Sequence, residues 1–279
     1  MQRKTVLITG GNSGIGLATA QEMAARGIRV CLACRNQQKA ADAADAIRAK
    51  IPGAEIEIYT LDLASFDGIR NFVSAFLAKH AVLDALVNNA GAYPASQRFT
   101  EDGFELMFGG NTLGPILLTQ LLLPALEAAE DGRIVHVSSM LHLLGNIDFN
   151  SFRGRKPYFA MPAYAQSKLG NLLYSNALAT RTRVKSNAIH PGGVGSPLYR
   201  ELPKPLYAGI KLFLIGPEPA AKLAADLAFS AKHRGVTGQY FTAQPPGFSS
   251  RRSKDVELQD RFYTTCCALA GVAASAKIH

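Results

Sequence analysis

Cysteine and charged residues are both scarce in this sequence. Only four of its 279 residues are cysteines, and two of these, Cys266 and Cys267, are adjacent. That number and spacing exclude a small disulfide-stapled scaffold and favour a reduced, cytoplasmic protein. Charged residues make up 18% of the chain, against 48% hydrophobic residues. This balance excludes an intrinsically disordered chain and predicts a large buried core.

Long apolar runs are also lacking. The apolar segment near the start of the chain, residues 6–8, is too short for a signal peptide, and glycines follow it too soon. No run in the sequence reaches the roughly 18 uncharged apolar residues that span a bilayer. The nearest approach, residues 206–215, contains Lys211. The sequence therefore predicts no transmembrane segment, and this stretch is a candidate for contact with a membrane surface.

The basic residues are scattered rather than grouped. Lys and Arg number 30 against 21 Asp and Glu, which gives a formal net charge of +9 at pH 7. One small cluster contains Arg251, Arg252 and Lys254, but no basic stripe is interleaved with aromatic residues. We therefore expect no nucleic-acid partner. The charges are typical of a solvated surface, and a few of them could bind an anionic cofactor.

Short apolar runs alternate with helical stretches over the first two thirds of the chain. Helical stretches such as residues 17–26 and 37–50 are rich in Ala, Leu, Glu and Lys. The apolar runs between them are residues 6–8, 30–34, 56–61, 83–87 and 134–137. Strands of this kind, joined by helices, predict a parallel sheet that is covered on both faces.

The sequence thus predicts a single α/β domain of the doubly wound Rossmann type over residues 1–279, with a seven-stranded parallel sheet. Its nucleotide-binding half extends to about residue 135, and its catalytic and substrate-binding half follows. Prolines interrupt an apolar region near residues 195–220, which predicts a small substrate lobe. A helix at residues 218–231 and a short strand at residues 239–241 complete the prediction.

The first strand leads directly into a glycine-rich turn and a helix. Gly10, Gly14 and Gly16 are the characteristic glycines of this turn. Such a turn lets the backbone approach a pyrophosphate, whose negative charge then faces backbone amides and the positive end of the helix. Turns of this kind also occur for packing alone. The position between a first strand and a helix favours a dinucleotide site.

The end of the second strand indicates which nicotinamide nucleotide is bound. A carboxylate there would bind the ribose hydroxyls of NAD and repel a 2′-phosphate. The sequence has Cys34, Arg35 and Asn36 instead. Because a guanidinium forms paired hydrogen bonds to phosphate, Arg35 favours NADP(H). An ordinary surface arginine is the alternative.

Tyr164 and Lys168 place a phenol and an amine four residues apart, which is one face of a helix. A free tyrosine has a pKa of about 10 and is a poor base at neutral pH. A neighbouring ammonium stabilises the phenolate, so that Tyr164 could give a proton to a carbonyl oxygen or remove one from an alcohol. The bare spacing is common by chance and usually marks a surface pair.

Taken together, these motifs resemble the short-chain dehydrogenase/reductase family. The resemblance implies that Tyr164 moves the proton and that Lys168 lowers its pKa and binds the ribose. It also implies that Ser139 binds the substrate oxygen, with Ser138 as the alternative, and that Asn111 holds a water in a proton relay. The four residues follow one another in the family's chain order. The resemblance further implies that Asp62 and Leu63 flank the adenine, that residues 88–91 border the cofactor and brace the sheet, and that the Pro-Gly loop after the sixth strand closes on the nicotinamide amide.

The full set of cofactor-binding residues that the sequence predicts is Gly10, Asn12, Ser13, Gly14, Ile15, Gly16, Arg35, Asn36, Asp62, Leu63, Asn89, Ala90, Gly91, Tyr164, Lys168, Pro191, Gly192, Val194 and Ser196. No metal site is predicted.

Finer features resemble the retinol dehydrogenase and protochlorophyllide reductase branch, namely residues 33–35, 100–105, 167–171 and 237–241. The insert between Ser139 and Tyr164 is apolar and aromatic; it contains Leu143, Ile147, Phe149, Phe152, Tyr158 and Phe159. We therefore predict an NADP(H)-dependent carbonyl reductase or alcohol dehydrogenase for a lipophilic or aromatic substrate. The alternatives are a double-bond reductase and a non-catalytic NADPH-binding sensor or interaction protein. Family habit implies a homodimer or homotetramer that pairs through helices at residues 101–129 and 160–181.

Overall fold

A computed structural model describes residues 3–193, 216–243 and 247–278. Its seven described strands lie in one parallel sheet with the order β3-β2-β1-β4-β5-β6-β7. The strands are β1 (Thr5–Thr9), β2 (Arg29–Cys34), β3 (Ile56–Thr60), β4 (Ala85–Asn88), β5 (Arg133–Val137), β6 (Lys185–His190) and β7 (Tyr240–Thr242). The predicted fold class is confirmed. Val194, Ser196 and most of the predicted substrate lobe lie outside the described residues.

Helices connect these strands and flank the sheet. The helices used below are α1 (Gly14–Ala25), α2 (Gln37–Lys50), α3 (Phe66–Lys79), α4 (Leu106–Glu127), α5 (Ala160–Ala179), α6 (Glu218–Phe229) and α7 (Val256–Leu269). Within α4, the segment Gly109–Leu113 is a π-helical turn.

The prediction for α4 placed its first residue too early. A helix was expected from residue 101, but the chain turns at Gly103, whose φ is +76°, and the helix begins at Leu106. The Glu105 carboxylate caps it by accepting hydrogen bonds from the backbone N–H groups of Met107 and Phe108, at 3.0 and 2.9 Å. The cap satisfies amides that have no partner within the helix.

Apolar side chains fill both faces of the sheet, as alternation along a buried strand requires. Val6 and Ile8 belong to the core beneath α1, α2 and α6. Leu7, between them, belongs to the opposite core, which is formed with α3, α4, α5 and α7. All three side chains are fully buried. Burial on both faces explains why these strands are continuous apolar runs in the sequence.

Strands β1 and β4 are neighbours although two strands separate them in the chain. After β1 the chain adds β2 and β3 on one side, then returns to add β4 and the later strands on the other. Open α/β sheets bind ligands where the strand order reverses, beyond the carboxyl ends of the strands. The topology therefore places a crevice at the ends of β1 and β4.

Helix α4 is the one helix in the described part of the chain that is long and apolar enough to cross a membrane, with a mean hydropathy of 1.4. Within the fold, however, 78% of this stretch is buried. It packs against one face of the sheet as a buried helix of the core. Buried core helices can be as long and as apolar as helices that cross a membrane.

Helix α7 covers part of the two helices that were expected to pair between subunits. The ring of Tyr263 stacks on Tyr174 of α5, with ring centroids 5.7 Å apart. Phe262 lies so close to Gly170 that a Cβ there would be 2.8 Å from its ring. Part of the surface of α5 is thus covered by a helix of the same chain, and the oligomeric state stays a prediction.

Much of the aromatic insert is core rather than pocket. Phe152 stacks on Phe108 with ring centroids 3.8 Å apart and is buried, as is Ile147. Phe149 packs against the same core and beneath the guanidinium of Arg261. These side chains fill the space between α4, α5 and α7, so the apolar composition of this part of the insert serves the core, and the lipophilic substrate inferred from it stays a prediction.

Candidate active site

A groove with a volume of about 840 Å³ opens beyond the carboxyl ends of β1, β2, β4 and β5. Pockets of this size are typical of cofactor and substrate sites. The predicted site residues that line it are Gly10, Asn12, Ser13, Gly14, Ile15, Arg35, Asn36, Asp62, Leu63, Asn89, Ala90, Gly91, Asn111, Tyr164, Lys168 and Pro191. Of the other predicted residues that are described, Gly16, Ser139 and Gly192 lie next to the groove rather than in its lining.

The turn between β1 and α1 depends on its glycines. Gly10 and Gly14 have φ angles of +65° and +52°, a region that residues with a Cβ rarely adopt. A Cβ on Gly16 would collide with the carbonyl oxygen of Gly10 and the side-chain amide of Asn89. Gly16 therefore serves close packing between the turn and the sheet, and it leaves the first turn of α1 directed at the groove.

Thr9 and Asn89 fasten the glycine turn to the loop after β4. The Thr9 hydroxyl accepts hydrogen bonds from the backbone N–H groups of Asn89 and Ala90, both at 3.0 Å. The Asn89 side-chain amide donates to the carbonyl oxygens of Thr9 and Gly10, at 2.9 and 3.3 Å. Two loops that are 80 residues apart in sequence are thus held together at one wall of the groove. Sequence reasoning had not given Thr9 this role.

Where the groove passes the end of β2, its lining includes two cationic side chains, together with the carboxylate of Asp42, which accepts from Gln38 Nε2 at 2.9 Å. Arg35 is exposed, and no described acidic side chain forms an ion pair with it. Lys39, four residues further on, also lines the groove and was not predicted. Its spacing from Arg35 was the available signal. Asn36 has a second task, because its side-chain oxygen caps α2 by accepting from the backbone N–H of Lys39 at 2.9 Å.

Cys34 also lines the groove. Burial raises the pKa of its thiol to about 11, against the smaller effect of hydrogen bonds from the backbone N–H groups of Gly11 and Asn12. The thiol is therefore neutral at physiological pH. This keeps negative charge away from the glycine turn, where an anionic ligand would lie.

Tyr164 and Lys168 lie on the groove side of α5, as the spacing predicts. Both are buried, with 5% and 3% of their surface exposed, and the Lys168 ammonium is 5.4 Å from the centre of the Tyr164 ring. Lys168 Nζ donates a 3.0 Å hydrogen bond to the carbonyl oxygen of Val137 at the end of β5. Burial lowers the pKa of Lys168 to about 8. Most of the amine is still protonated at neutral pH.

Asn111 lies in the π-helical turn of α4 and is committed to the loop after β4. Its side-chain oxygen accepts from the backbone N–H of Ala92 at 2.7 Å, and its side-chain nitrogen donates to the carbonyl oxygen of the same residue at 2.8 Å. A Cβ placed on Gly91 would lie 3.6 Å from Lys168 Nζ and 3.7 Å from Asn111 Oδ1. The structure therefore brings Asn111 and Lys168 to the same point of the groove wall.

The two serines after β5 differ in what they contact. The Ser138 hydroxyl is buried and donates a 2.8 Å hydrogen bond to the carbonyl oxygen of Lys168, which fastens β5 to α5. Ser139 is half-buried, and its oxygen accepts a 3.2 Å hydrogen bond from the backbone N–H of Leu141. The Ser139 hydroxyl hydrogen is not used in that bond. Ser138 lines the groove whereas Ser139 does not, but the Ser138 hydroxyl hydrogen is already bonded to Lys168. The assignment of Ser139 as the donor to a ligand therefore stays a prediction.

Two further residues near the groove have local structural tasks. Asp62 lines the groove, and one of its carboxylate oxygens accepts from the backbone N–H of Ala64 at 2.9 Å. His190, the last residue of β6, accepts from the backbone N–H of Met140 at 3.3 Å. Burial, together with nearby His142, lowers the pKa of His190 to about 4, so its ring is neutral.

An apolar wall lies beside Tyr164, and of its members only Tyr158 was named in the predicted apolar insert. The ring of Tyr93 meets the ring of Tyr164 edge-on, with centroids 5.1 Å apart. Met107, Leu141 and Tyr158 belong to the same apolar cluster. The hydroxyl of Tyr158 is held by the buried Glu105, at 3.2 Å. Their wide separation in the sequence, from residue 93 to residue 164, left no local signal.

These features fit a nicotinamide dinucleotide. The glycine turn leaves room where a Cβ would collide, and Arg35 and Lys39 offer cations at the end of β2. At the other end of the groove, Lys168 and Tyr164 lie next to Pro191. Together the sheet order, the turn and this tyrosine–lysine pair define a dinucleotide-binding protein of the doubly wound α/β class.

Comparisons with known proteins place the chain more narrowly. The family model described as short chain dehydrogenase matches residues 4–206. Mouse retinol dehydrogenase 12 is 38% identical over 274 residues, which cover 96% of this chain and 87% of that protein. The chain belongs to the short-chain dehydrogenase/reductase family of oxidoreductases, in its retinol dehydrogenase-like branch.

Solved structures are similar over nearly the whole chain. A crystal structure from Mycobacterium paratuberculosis has a TM-score of 0.76 and 30% identity, covering 98% of this chain and 95% of that one. A short-chain dehydrogenase from Shigella flexneri, complexed with NADP, has a TM-score of 0.71 and 25% identity, covering 88% and 98%.

Proposed function

We propose that this protein is an NADP(H)-dependent oxidoreductase that interconverts a carbonyl and an alcohol on a lipophilic substrate. The observation that carries the proposal is the convergence of Tyr164 and Lys168 with the glycine turn in one groove. The sequence relatives support the reaction class. When bound, the nicotinamide would supply or accept the hydride, and the chain would supply positioning and proton transfer.

NADP(H) is favoured over NAD by the charge at the end of β2. Arg35 and Lys39 are exposed cations on the groove, and Cys34, at the strand end itself, is held neutral by burial. A guanidinium binds a phosphate through paired, charge-assisted hydrogen bonds, whereas a carboxylate at this place would repel it. The NADP complex of the similar Shigella flexneri protein supports the same assignment.

The protein groups then divide the work in the following way. The Tyr164 phenol gives its proton to the substrate oxygen during reduction and takes one during oxidation. The Lys168 ammonium favours the phenolate by its charge. The Ser139 hydroxyl donates a hydrogen bond to the substrate oxygen, while the Asn111 side chain fixes the loop at Ala92. The relay water that the resemblance assigns to Asn111 stays a prediction.

A lipophilic substrate is supported by the apolar wall beside Tyr164. Tyr93, Leu141 and Tyr158 are partly buried in the cluster that contains the Tyr164 ring and offer aromatic and aliphatic surface there, over the fully buried Met107. The mouse relative is named for retinol, and we propose a substrate of the same general kind, an alcohol or carbonyl with an apolar body. A cytoplasmic location and a homo-oligomeric state are proposals that rest on the sequence alone.

The test is an assay of the purified full-length protein that follows NADPH absorbance with octanal, benzaldehyde, retinal and menadione. We expect NADPH-dependent reduction of at least one of these carbonyls, with the alcohol as product. Tyr164→Phe should lower kcat by about 10²–10⁴-fold, the usual contribution of a general acid, and leave the Kd for NADPH unchanged. Tyr174→Phe, on the same helix but packed against Tyr263, is the matched control and should retain activity.

Other outcomes would contradict the proposal. Full turnover by Tyr164→Phe would remove the proton donor that the proposal needs. A product that has lost a carbon–carbon double bond and kept its carbonyl would identify a double-bond reductase. Tight NADPH binding without turnover of any of the four carbonyls would favour a non-catalytic nucleotide-binding protein.

A further inference from the structure

His142 has both of its ring nitrogens engaged and is fully buried. Its Nε2 faces the backbone N–H of Ser250 at 3.1 Å. A backbone N–H can only donate, so Nε2 must be the acceptor and Nδ1 must carry the ring hydrogen. Nδ1 then donates a 2.7 Å hydrogen bond to the backbone carbonyl oxygen of Ser139. The neighbouring groups thus select one neutral tautomer of this histidine.

Ser250 belongs to a short segment after β7, residues 250–254, which we call the C-terminal brace. The carbonyl oxygen of Ser253 in this brace accepts hydrogen bonds from the side-chain amides of Asn176 on α5 and Gln259 on α7, at 2.8 and 2.7 Å. Arg252 donates to the carbonyl oxygen of Gly145 at 2.9 Å. The brace is therefore anchored to the same helix that carries Tyr164 and Lys168.

Ser139 lies on a much less regular element. It precedes a 3-10 turn, Met140–Leu144, whose last residue, Leu144, is 66% exposed. A hydroxyl that must meet a substrate oxygen has to be held within about 0.5 Å of its productive position. The hydrogen bonds of His142 connect this turn to the brace. The brace is in turn bonded to Asn176 of α5.

We propose that His142 is a positioning residue for Ser139. Its two hydrogen bonds hold the backbone of Ser139 at a fixed place relative to the C-terminal brace. The serine hydroxyl and the Tyr164 phenol then reach the same substrate oxygen. His142 itself does not touch the substrate. The inference rests on the proposed function, because it assigns a partner to a residue of that site.

Two substitutions separate the two hydrogen bonds of His142. The amide of asparagine occupies the place of Nδ1, so His142→Asn can still donate to the Ser139 carbonyl. The amide of glutamine reaches the place of Nε2, so His142→Gln can still accept from Ser250 but loses the side-chain bond to the Ser139 carbonyl, which keeps only the 3.1 Å bond from the backbone N–H of residue 142. We expect His142→Gln to lower kcat about tenfold, the effect of one hydrogen bond, and His142→Asn to stay within about threefold of the wild type. The Kd for NADPH should not change in either.

A double-mutant cycle with Ser139→Ala tests whether His142 acts through that serine. Once the hydroxyl is removed, His142→Gln should have no further effect on kcat, whereas an independent structural role would lower kcat again by the same factor. Hydrogen exchange provides a readout that does not depend on activity. The amide of Leu141, which donates to Ser139 Oγ, should exchange faster in His142→Gln than in His142→Asn.

The control for burial is His136→Gln, which replaces another buried histidine, on β5. It should show no coupling to Ser139→Ala. Equal kcat for the wild type and His142→Gln, or a full additive loss in the Ser139→Ala background, would overturn the inference. If Tyr164→Phe also retained full turnover, the proposed function itself would fail; if Tyr164→Phe were inactive, only the role of His142 would be lost.

Discussion

Lys168 in the groove and Glu57 at the edge of the sheet are both withdrawn from solvent, but their surroundings affect the charged form in opposite ways. In the groove, Lys168 is almost fully buried, and among the described residues no carboxylate forms an ion pair with it. At the edge of the sheet, the Glu57 carboxylate is surrounded by partners. It accepts from Lys79 Nζ at 2.8 Å and from the Tyr59 hydroxyl at 2.7 Å, and it lies 3.0 Å from His80 Nε2.

The pKa shifts follow this difference. Burial without an opposite charge lowers the pKa of Lys168 to about 8 and so disfavours its charged form. Around Glu57, desolvation is outweighed by hydrogen bonds from Lys79, Tyr59 and His80, and the pKa is lowered to about 2, which favours the charged form. Both residues have perturbed pKa values, but only the first borders a cavity with its charge uncompensated. Incomplete compensation beside a groove, rather than the shift alone, indicates the functional site.

Cys31 makes the edge cluster resemble a metal site. Its sulfur, a Glu57 carboxylate oxygen and a His80 ring nitrogen lie within 4.8 Å of one another. The carboxylate is already paired with Lys79 and Tyr59, however, and burial beside Glu57 raises the pKa of the Cys31 thiol. The cluster is explained as an ion-pair and hydrogen-bond network that fastens β3 to the end of α3.

The largest effect is expected from Lys168→Met. Because the amine supports the phenolate, turnover should fall by at least about 100-fold. The free energy of unfolding of this variant should instead increase. The folded state releases the lysine proton near pH 8 and the unfolded chain near 10.5, so the burial penalty is complete below pH 8 and declines as the pH rises toward 10.5. At pH 7 the variant should gain up to about 3 kcal/mol of unfolding free energy.

Denaturant unfolding at pH 7 and pH 10 measures this linkage. The advantage of Lys168→Met over the wild type should shrink at the higher pH. An advantage that is the same at both values would mean that Lys168 is not destabilised by burial, and the contrast with Glu57 would disappear.

The next largest effects are expected at the two serines after β5, where one substitution should lower turnover and the other should lower stability. Ser139→Ala removes a donor to the substrate oxygen and should lower kcat by about 100-fold, with little change in the Kd for NADPH. Ser138→Ala removes the 2.8 Å hydrogen bond to the carbonyl oxygen of Lys168 and should lower the free energy of unfolding by about 1 kcal/mol. Steady-state kinetics and denaturant unfolding of both variants check this. The opposite assignment would follow if Ser138→Ala were the one to lose turnover without losing stability.

Removing the cationic side chains of the groove should reduce its preference for NADPH over NADH. Arg35→Ala should weaken NADPH binding by about 10- to 100-fold, the effect of losing charge-assisted hydrogen bonds, and leave NADH binding nearly unchanged. Lys39→Ala should have a smaller effect of the same kind. Lys50→Ala, at the exposed end of α2, is the control. Fluorescence titration with both nucleotides measures these affinities, and an equal loss for NADPH and NADH would refute a 2′-phosphate site at Arg35.

The smallest effect is expected at the edge cluster. Glu57→Gln should leave turnover unchanged and lower the free energy of unfolding by about 1–2 kcal/mol at pH 7. The folded pKa lies below its ordinary 4.5, so this stability is complete above pH 4.5 and is lost as the pH falls toward 2. Unfolding at pH 7 and pH 3 should therefore show a smaller difference at the lower value. Glu55→Gln, at a more exposed salt bridge to Arg29, is the control, and a loss of turnover in Glu57→Gln would break the comparison.

Local patterns predicted much of the fold. Helix α2 was predicted at its observed bounds, residues 37–50, and the predicted strands coincide with β1 to β5 to within two residues at either end. These elements succeed because a single periodicity determines each of them. The start of α4 was missed because Glu105 caps the helix and Gly103 turns the chain before it.

The candidate site was predicted in part for the same reason. Tyr164 and Lys168 share a helix face, and the glycine turn is a contiguous segment, so both are visible in the sequence. The pairing of Asn111 with Ala92, the link from His142 to Ser250 and the apolar wall at Tyr93 join residues that are distant in the chain. No local pattern contains such contacts.

The sequence by itself determined the strands, most of the helices, the glycine turn and the shared helix face of Tyr164 and Lys168, because each depends on residues that are neighbours along the chain. Only the tertiary structure decided which charged groups are compensated, which aromatic residues are core and which hydroxyl of the serine pair is bonded to α5. Those outcomes depend on what packs against each side chain from distant segments, and desolvation and hydrogen bonding are set there.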